Sequence, residues 1–171
     1  MVKQLGKPVV LIGFMGSGKS TLGRKLAKIL ELPFIDLDQE IEKHSGMTIP
    51  MIFGEQGELT FREWENKVLG GILNGEPAII SVGGGAPCNE LNMKLIREKA
   101  ISVYLKISVD ELHQRLMNSP TPRPLLENKT PAEARAFIEN LLLKRESFYN
   151  QADIILESDN LTPDHLLSSL S

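Results

Sequence analysis

The chain has 171 residues, 42% of them apolar and 24% charged, with 19 Lys plus Arg against 22 Asp plus Glu and a formal net charge of −3. This length predicts one domain, residues 1–171, around one core, and the composition excludes intrinsic disorder and a fibrous architecture. The mildly acidic balance argues against a broad surface for a nucleic-acid backbone, which needs clustered cations.

Cys88 is the single cysteine and has no intrachain disulfide partner, so a cytoplasmic setting is expected. Lys3 and Lys7 ahead of the apolar run Val9 to Met15 imitate a signal peptide, but the run is short and passes into Gly16-Ser17-Gly18-Lys19 without a cleavage pattern. No stretch reaches the roughly 18 apolar residues of a membrane span, so no membrane association is expected.

In chain order, five short apolar runs are predicted strands: Val9 to Phe14, Phe34 to Asp38, Ala78 to Val82, Ile101 to Ile107 and Asp153 to Leu156. Most are nearly continuous rather than alternating, the mark of strands covered on both faces in a parallel sheet. Helix starts are signalled between them by Thr60 with Glu63, Ser108 with Glu111 and Thr130 with Glu133, all at capping-box spacing. Pro131 and Pro163 follow Thr130 and Thr162, where a first-turn proline loses no hydrogen bond. The alternation predicts a three-layer α/β domain with a five-stranded parallel sheet flanked by helices and with ligands at the carboxyl ends of its strands. Gly46 to Leu59 and Asn118 to Lys129 fit this plan less well and are read as lids or binding loops.

Gly13-Phe14-Met15-Gly16-Ser17-Gly18-Lys19-Ser20 matches the pattern G-x-x-x-x-G-K-[ST] between a predicted strand and a predicted helix. Its backbone amides and the helix dipole suit phosphate oxygens, with Lys19 at the β and γ phosphates and Ser20 on Mg²⁺. The usual metal-holding Asp is missing after the run Ala78 to Val82, which passes into Gly83-Gly84-Gly85. Asp36-Leu37-Asp38 is the candidate replacement, read as two carboxylates on the same side of a strand end, one facing the metal's water shell and one the acceptor if that strand neighbours the first. The other reading is that one of them, Asp38, caps a helix from Gln39 to His44. Two readings are likewise open for the three glycines: close backbone approach to a ligand, or a flexible turn.

Gly13 to Ser20, Asp36-Leu37-Asp38, Phe61-Arg62-Glu63-Trp64-Glu65, Gly83-Gly84-Gly85, Arg123-Pro124-Leu125-Leu126, and Arg145 ahead of Tyr149 together resemble the shikimate kinase family over essentially the whole chain. The resemblance implies a P-loop fold like that of nucleoside monophosphate kinases, with Mg²⁺ as cofactor, ATP and shikimate as ligands, and a monomeric state. It implies transfer of the ATP γ-phosphoryl to the 3-hydroxyl of shikimate, toward chorismate and the aromatic amino acids. By the same resemblance Gly16, Ser17, Gly18, Lys19, Ser20 and Thr21 bind nucleotide, and Asp36 reaches the metal through water.

Asp38 matches the residue that binds the ring hydroxyls and is the candidate to orient the 3-hydroxyl and accept its proton. Arg62 and Arg145 match carboxylate-binding arginines, whose guanidinium fork suits a carboxylate, and Gly83, Gly84 and Gly85 supply backbone contacts. Glu65, one helical turn from Arg62, is spaced to orient it. The resemblance puts the substrate-binding region at about 38–65 and a mobile lid at about 116–129, from which Arg123 reaches the phosphates. Arg115 is the candidate contact for adenine.

His44, His113 and His165 have no paired-ligand spacing, so no zinc site is expected. Cys88 follows the glycine run and is read as a small packing residue, while Phe61 and Trp64 either line the pocket or pack their helix. The competing readings are a gluconate or nucleotide kinase, disfavoured by the glycine run with Arg62 and Arg145, and a silent nucleotide-binding module, disfavoured by intact Lys19, Ser20, Asp36 and Asp38.

Overall fold

The apolar runs form one parallel sheet from β1 (Val9–Ile12), β2 (Phe34–Asp36), β3 (Ile79–Ser81), β4 (Ile101–Lys106) and β5 (Ile154–Glu157), in the spatial order β2-β3-β1-β4-β5. The computed structural model describes residues 5–171, so Lys3 lies outside the described residues. Val9 pairs with Ile79 on one side and Ile101 on the other, which makes β1 the central strand. The first four strands end before their apolar runs do. Gly13 and Phe14 open the phosphate loop, Leu37 and Asp38 turn into a helix, and Val82 and Ile107 begin loops. The fifth is shifted by one residue, to Ile154–Glu157.

The two-residue period of a strand explains the three layers. Val10, Ile12, Ile80 and Tyr104 pack with α4 (Gly57–Leu73), α5 (Glu90–Lys99) and α7 (Pro131–Tyr149) on one face. Val9, Leu11, Ile79, Val103 and Leu105 pack with α1 (Lys19–Leu30) and α8 (Pro163–Ser169) on the other. All four residues of β1 are buried, whereas edge strand β5 alternates half-buried and exposed positions.

Of the three capping boxes read from spacing, Thr130 with Glu133 is complete, with bonds of 3.2 and 3.4 Å. Ser108 Oγ accepts from Glu111 N at the start of α6 (Val109–Met117), but its own amide donates to Asp159, which frees Glu111 to pair with Arg115. Thr60 lies inside α4 and caps nothing, because that helix begins at Gly57. Thr162 completes a box with His165, whose ring nitrogen does what a carboxylate usually does.

Gly46 to Leu59 is not the loop its glycines suggest. Thr48 caps a short helical turn, α3 (Ile49–Met51), which runs through a π-helical segment (Ile52–Gln56) into α4. Burial of Ile52 in the core overrides the low helix propensity of Gly54. Asn118 to Lys129 is irregular apart from one 3₁₀ turn, Pro124–Leu126. Leu116 and Met117 belong to α6, so the irregular segment starts two residues later than the lid bounds read from sequence.

Candidate active site

β1 delivers the chain to the phosphate loop, which turns on a Phe14 O to Ser17 N bond of 3.1 Å and enters α1 through Gly18 at φ +95°, a left-handed conformation that favours glycine. Lys19 Nζ donates to the carbonyls of Gly13 at 2.6 Å and Phe14 at 3.0 Å. Burial, then the cation of Arg145, brings its ammonium down to about 7. Ser17 Oγ is buried with no hydrogen-bond partner.

The loop borders a cleft of about 690 Å³ at the carboxyl ends of the strands. Gly16, Gly18, Lys19, Ser20, Thr21, Asp36, Asp38, Gly83, Gly84, Arg115 and Arg123 line it, joined by Ser81. The two aspartates reach it by a route different from the one expected. β2 lies beside β3, not beside β1, and it stops at Asp36. Asp36 is the cap of α2 (Leu37–Ser45), accepting from Gln39 N at 3.2 Å, and Asp38 stands in that helix's first turn. The capping role considered for Asp38 thus belongs to Asp36, and the strand argument for their common side does not apply. Burial, then the charge of Asp36, raises the Asp38 carboxyl above the usual aspartate range.

Ser81 is the residue that sequence reasoning missed. It ends β3 opposite Asp36 in register, and its Oγ lies 3.4 Å from Ser20 Oγ. It therefore occupies the strand end where P-loop proteins usually carry an Asp, and its signal was its place as the one hydroxyl residue in the apolar run Ala78 to Val82, two residues before the glycine run. Ser20, Ser81 and Asp36 offer oxygen donors only, and one Asp36 oxygen is already engaged by Gln39. Such a set suits a hard divalent cation that keeps waters and phosphate oxygens as its other ligands.

The three glycines are a platform under three side chains. A Cβ on Gly83 would stand 3.5 Å from Asp38 Oδ1, one on Gly84 2.8 Å from Arg145 Nη1, and one on Gly85 2.7 Å from Arg62 Nη2. Only glycine at 84 and 85 leaves both guanidinium groups where they lie. Tyr149, buried at the end of α7, donates to Gly84 O at 2.5 Å and holds the platform from the side. Arg145 also lies over the Phe14 ring, 5.6 Å from its centroid.

Arg62 Nη1 donates to Glu65 Oε1 at 2.9 Å, and Glu65 is only 1% exposed. Lys19, Arg123 and Arg145 have no carboxylate within 4.0 Å among the described residues. Arg123 Nε is buried without a partner, in the turn before Pro124. Cations held close together without direct ion-pair partners make a site for anions, with Asp36 and Asp38 offsetting part of their charge. Arg115 ties the phosphate loop to the loop after β5, donating to Gly16 O at 3.2 Å and Asp159 O at 2.7 Å.

The remaining residues singled out from sequence lie in ordinary packing roles. Phe61 is core, stacked on Phe53 with ring centroids 4.6 Å apart, and Trp64 packs against the core under Lys67. Cys88 Sγ is 3.9 Å from Gly84 O, near the platform, with its thiol pushed up by burial. Each histidine makes a separate local bond, to Glu40 O, Pro131 O and Thr162 N.

A glycine-rich loop opening a helix on the central strand, with a conjoined cleft of cations and aspartates at the sheet's carboxyl edge, defines a P-loop kinase of small molecules. Comparison with known proteins is specific. The shikimate kinase family model matches residues 15–170. A shikimate kinase of Parabacteroides distasonis is 41% identical over 165 residues, 96% of this chain and 95% of that protein. The crystal structure of shikimate kinase from Bacteroides thetaiotaomicron superposes with a TM-score of 0.86 at 39% identity, over 96% of this chain and 93% of that one. Shikimate kinase from Acinetobacter baumannii, solved in complex with shikimate, gives 0.83 at 34% identity over 95% and 89%. The chain belongs to the shikimate kinase family.

Proposed function

We propose that this chain transfers the γ-phosphoryl group of ATP to the 3-hydroxyl of shikimate, giving shikimate 3-phosphate and ADP on the route to chorismate and the aromatic amino acids. The observation that carries this reading is the glycine platform, which sets Asp38, Arg145 and Arg62 over three consecutive glycines, with Asp38, Gly83 and Gly84 lining the cleft that holds Lys19 and with Arg62, Arg145 and Gly85 just beyond its lining. A ring with one carboxylate and three hydroxyls needs that pairing of cations with an acceptor.

Arg62 and Arg145 hold the carboxylate, and the backbone of Gly83, Gly84 and Gly85 borders the ring. Asp38 accepts the hydrogen bond of the 3-hydroxyl and takes its proton as the oxygen bonds to phosphorus. The bond from the γ-phosphorus to the bridging oxygen breaks, and ADP leaves with that electron pair. Gly16, Ser17, Gly18, Lys19, Ser20 and Thr21 cradle the phosphates, with Lys19 exchanging its loop carbonyls for phosphate oxygens. The unpartnered Ser17 hydroxyl gains an acceptor there. Ser20 and Ser81, with Asp36 through water, would hold Mg²⁺, which would supply neutralisation of phosphate charge.

Arg123 adds a cation from the segment 118–129, read as the lid, and lid closure excludes water as a competing acceptor. Substrate binding falls to the region 38–65 together with the glycine platform and Arg145, all within one domain. Arg115 borders the adenine side. A monomer in the cytoplasm fits this reading, since one chain supplies every cation of the cleft; among the described residues no helix is long and apolar enough to cross a membrane.

The test is ADP release from Mg-ATP with shikimate, gluconate and nucleoside monophosphates offered in parallel. Turnover dependent on shikimate is expected; turnover with another acceptor alone contradicts the reading.

A further inference from the structure

We infer that Asn92, a residue of α5 that does not line the cleft, is a positioning residue that sets the direction of Arg62 by holding Glu65; the inference rests on the shikimate reading of that site. Asn92 is fully buried. Its Nδ2 donates to Glu65 Oε1 at 2.9 Å and to Ala86 O at 3.0 Å, and its Oδ1 accepts from Asn66 Nδ2 at 3.0 Å. Both amide hydrogens and the carbonyl are thus engaged.

The orientation of the amide follows from its neighbours. Turned over, it would set Oδ1 against a carboxylate and a carbonyl, which are acceptors only. Glu65 Oε1 meanwhile accepts from Arg62 Nη1 at 2.9 Å, so one buried oxygen is held between Asn92 and Arg62. Ala86 directly follows Gly85, the glycine on which the Arg62 guanidinium rests. Asn92 therefore fastens the carboxylate that directs Arg62 to the end of the platform beneath Arg62. The network spans α4, α5 and the 3₁₀ turn Ala86–Cys88.

Burial already raises the Glu65 carboxyl, and the bonds from Arg62 and Asn92 work against that rise. Removal of the Asn92 donor raises it further, so Glu65 takes up a proton at a higher pH and lets go of Arg62 there.

The test compares the wild type with Asn92→Leu and the near-isosteric Asn92→Asp. Expected is a KM for shikimate higher by about fivefold to twentyfold, the scale of part of one charge-assisted hydrogen bond. KM for ATP and kcat should stay within about twofold, and the acid limb of kcat/KM for shikimate should move to higher pH. Added to Glu65→Gln, Asn92→Leu should change KM little, because both act through one carboxylate. Where Asn92→Leu folds poorly, as read from thermal unfolding, Asn92→Asp carries the same comparison. An unchanged KM for shikimate in folded variants, or equal rises in both KM values with no shift of the acid limb, overturns the proposal while wild-type turnover keeps the functional reading. Absence of wild-type turnover with shikimate overturns both.

Discussion

Lys19 donates to two carbonyls of its own loop, and burial beside Arg145 brings its ammonium down to about 7. An arriving triphosphate supplies the counter-charge that the loop lacks, so binding favours the protonated amine. Between pH 7 and 9, therefore, nucleotide binding should take up protons, and affinity should fall as pH rises. Calorimetry of Mg-ATP binding in buffers of different ionisation enthalpy reads this uptake directly, and Lys19→Met should abolish it. Asp38 carries the opposite sign. Its folded-state carboxyl titrates above the unfolded value, so its contribution to stability is fully present in acid and is lost as pH rises through that folded value. Asp38→Asn should accordingly raise the melting temperature at pH 8, with the gain vanishing in acid, while kcat falls about 10²-fold or more. At this scale the sequence was informative about identity and less so about route. The pair Asp36 and Asp38 was legible, but which of them caps α2 depends on where β2 stops, and strand ends are decided by the sheet. Ser81 was hidden because an isolated serine within an apolar run carries no pattern of its own.

The glycine run is an element-scale device, since each glycine serves a side chain delivered by a different helix. Gly84 and Gly85 sit under guanidinium groups at distances that exclude a methyl, whereas Gly83 leaves ordinary contact to Asp38. The tips of arginine side chains move readily, so the fold should tolerate a methyl that the site does not. Gly84→Ala and Gly85→Ala should each raise KM for shikimate about tenfold or more. Gly83→Ala should change it less, and all three should melt within a few degrees of the wild type. Steady-state kinetics beside thermal unfolding checks both halves. The choice between platform and flexible turn could not be made from three glycines in a row, because it depends on α2, α4 and α7 converging there. Elements with a strong local signal, such as Thr130-Pro131 with Glu133, were legible. The stretch Gly46 to Leu59 was not, because burial of Ile52 in the core outweighs the propensity of its glycines.

Across the whole molecule, a net charge of −3 excludes a broad polyanion surface but not a local one. Lys19, Arg62, Arg123 and Arg145 are far apart in sequence, yet the parallel topology brings the carboxyl ends of β1 and β3, the first turns of α4 and the last turns of α7 to one edge. Of these four, among the described residues, Arg62 alone has carboxylate partners within 4.0 Å, Glu65 and Glu58. The alternating order of strands and helices made the architecture legible. The spatial order of strands was not, since β3 enters between β2 and β1 only through long-range pairing. In the proposed reaction these cations divide the work, Lys19 serving phosphoryl transfer and Arg62 shikimate. Shikimate affinity by calorimetry, beside turnover, for Lys19→Ala and Arg62→Ala is the direct measurement. Lys19→Ala should bind shikimate within about twofold of the wild type and lose about 10²- to 10³-fold in kcat. Arg62→Ala should weaken shikimate binding about tenfold or more and keep far more of its kcat. Equal and small effects of the two substitutions, or loss of shikimate binding in Lys19→Ala alone, would contradict it.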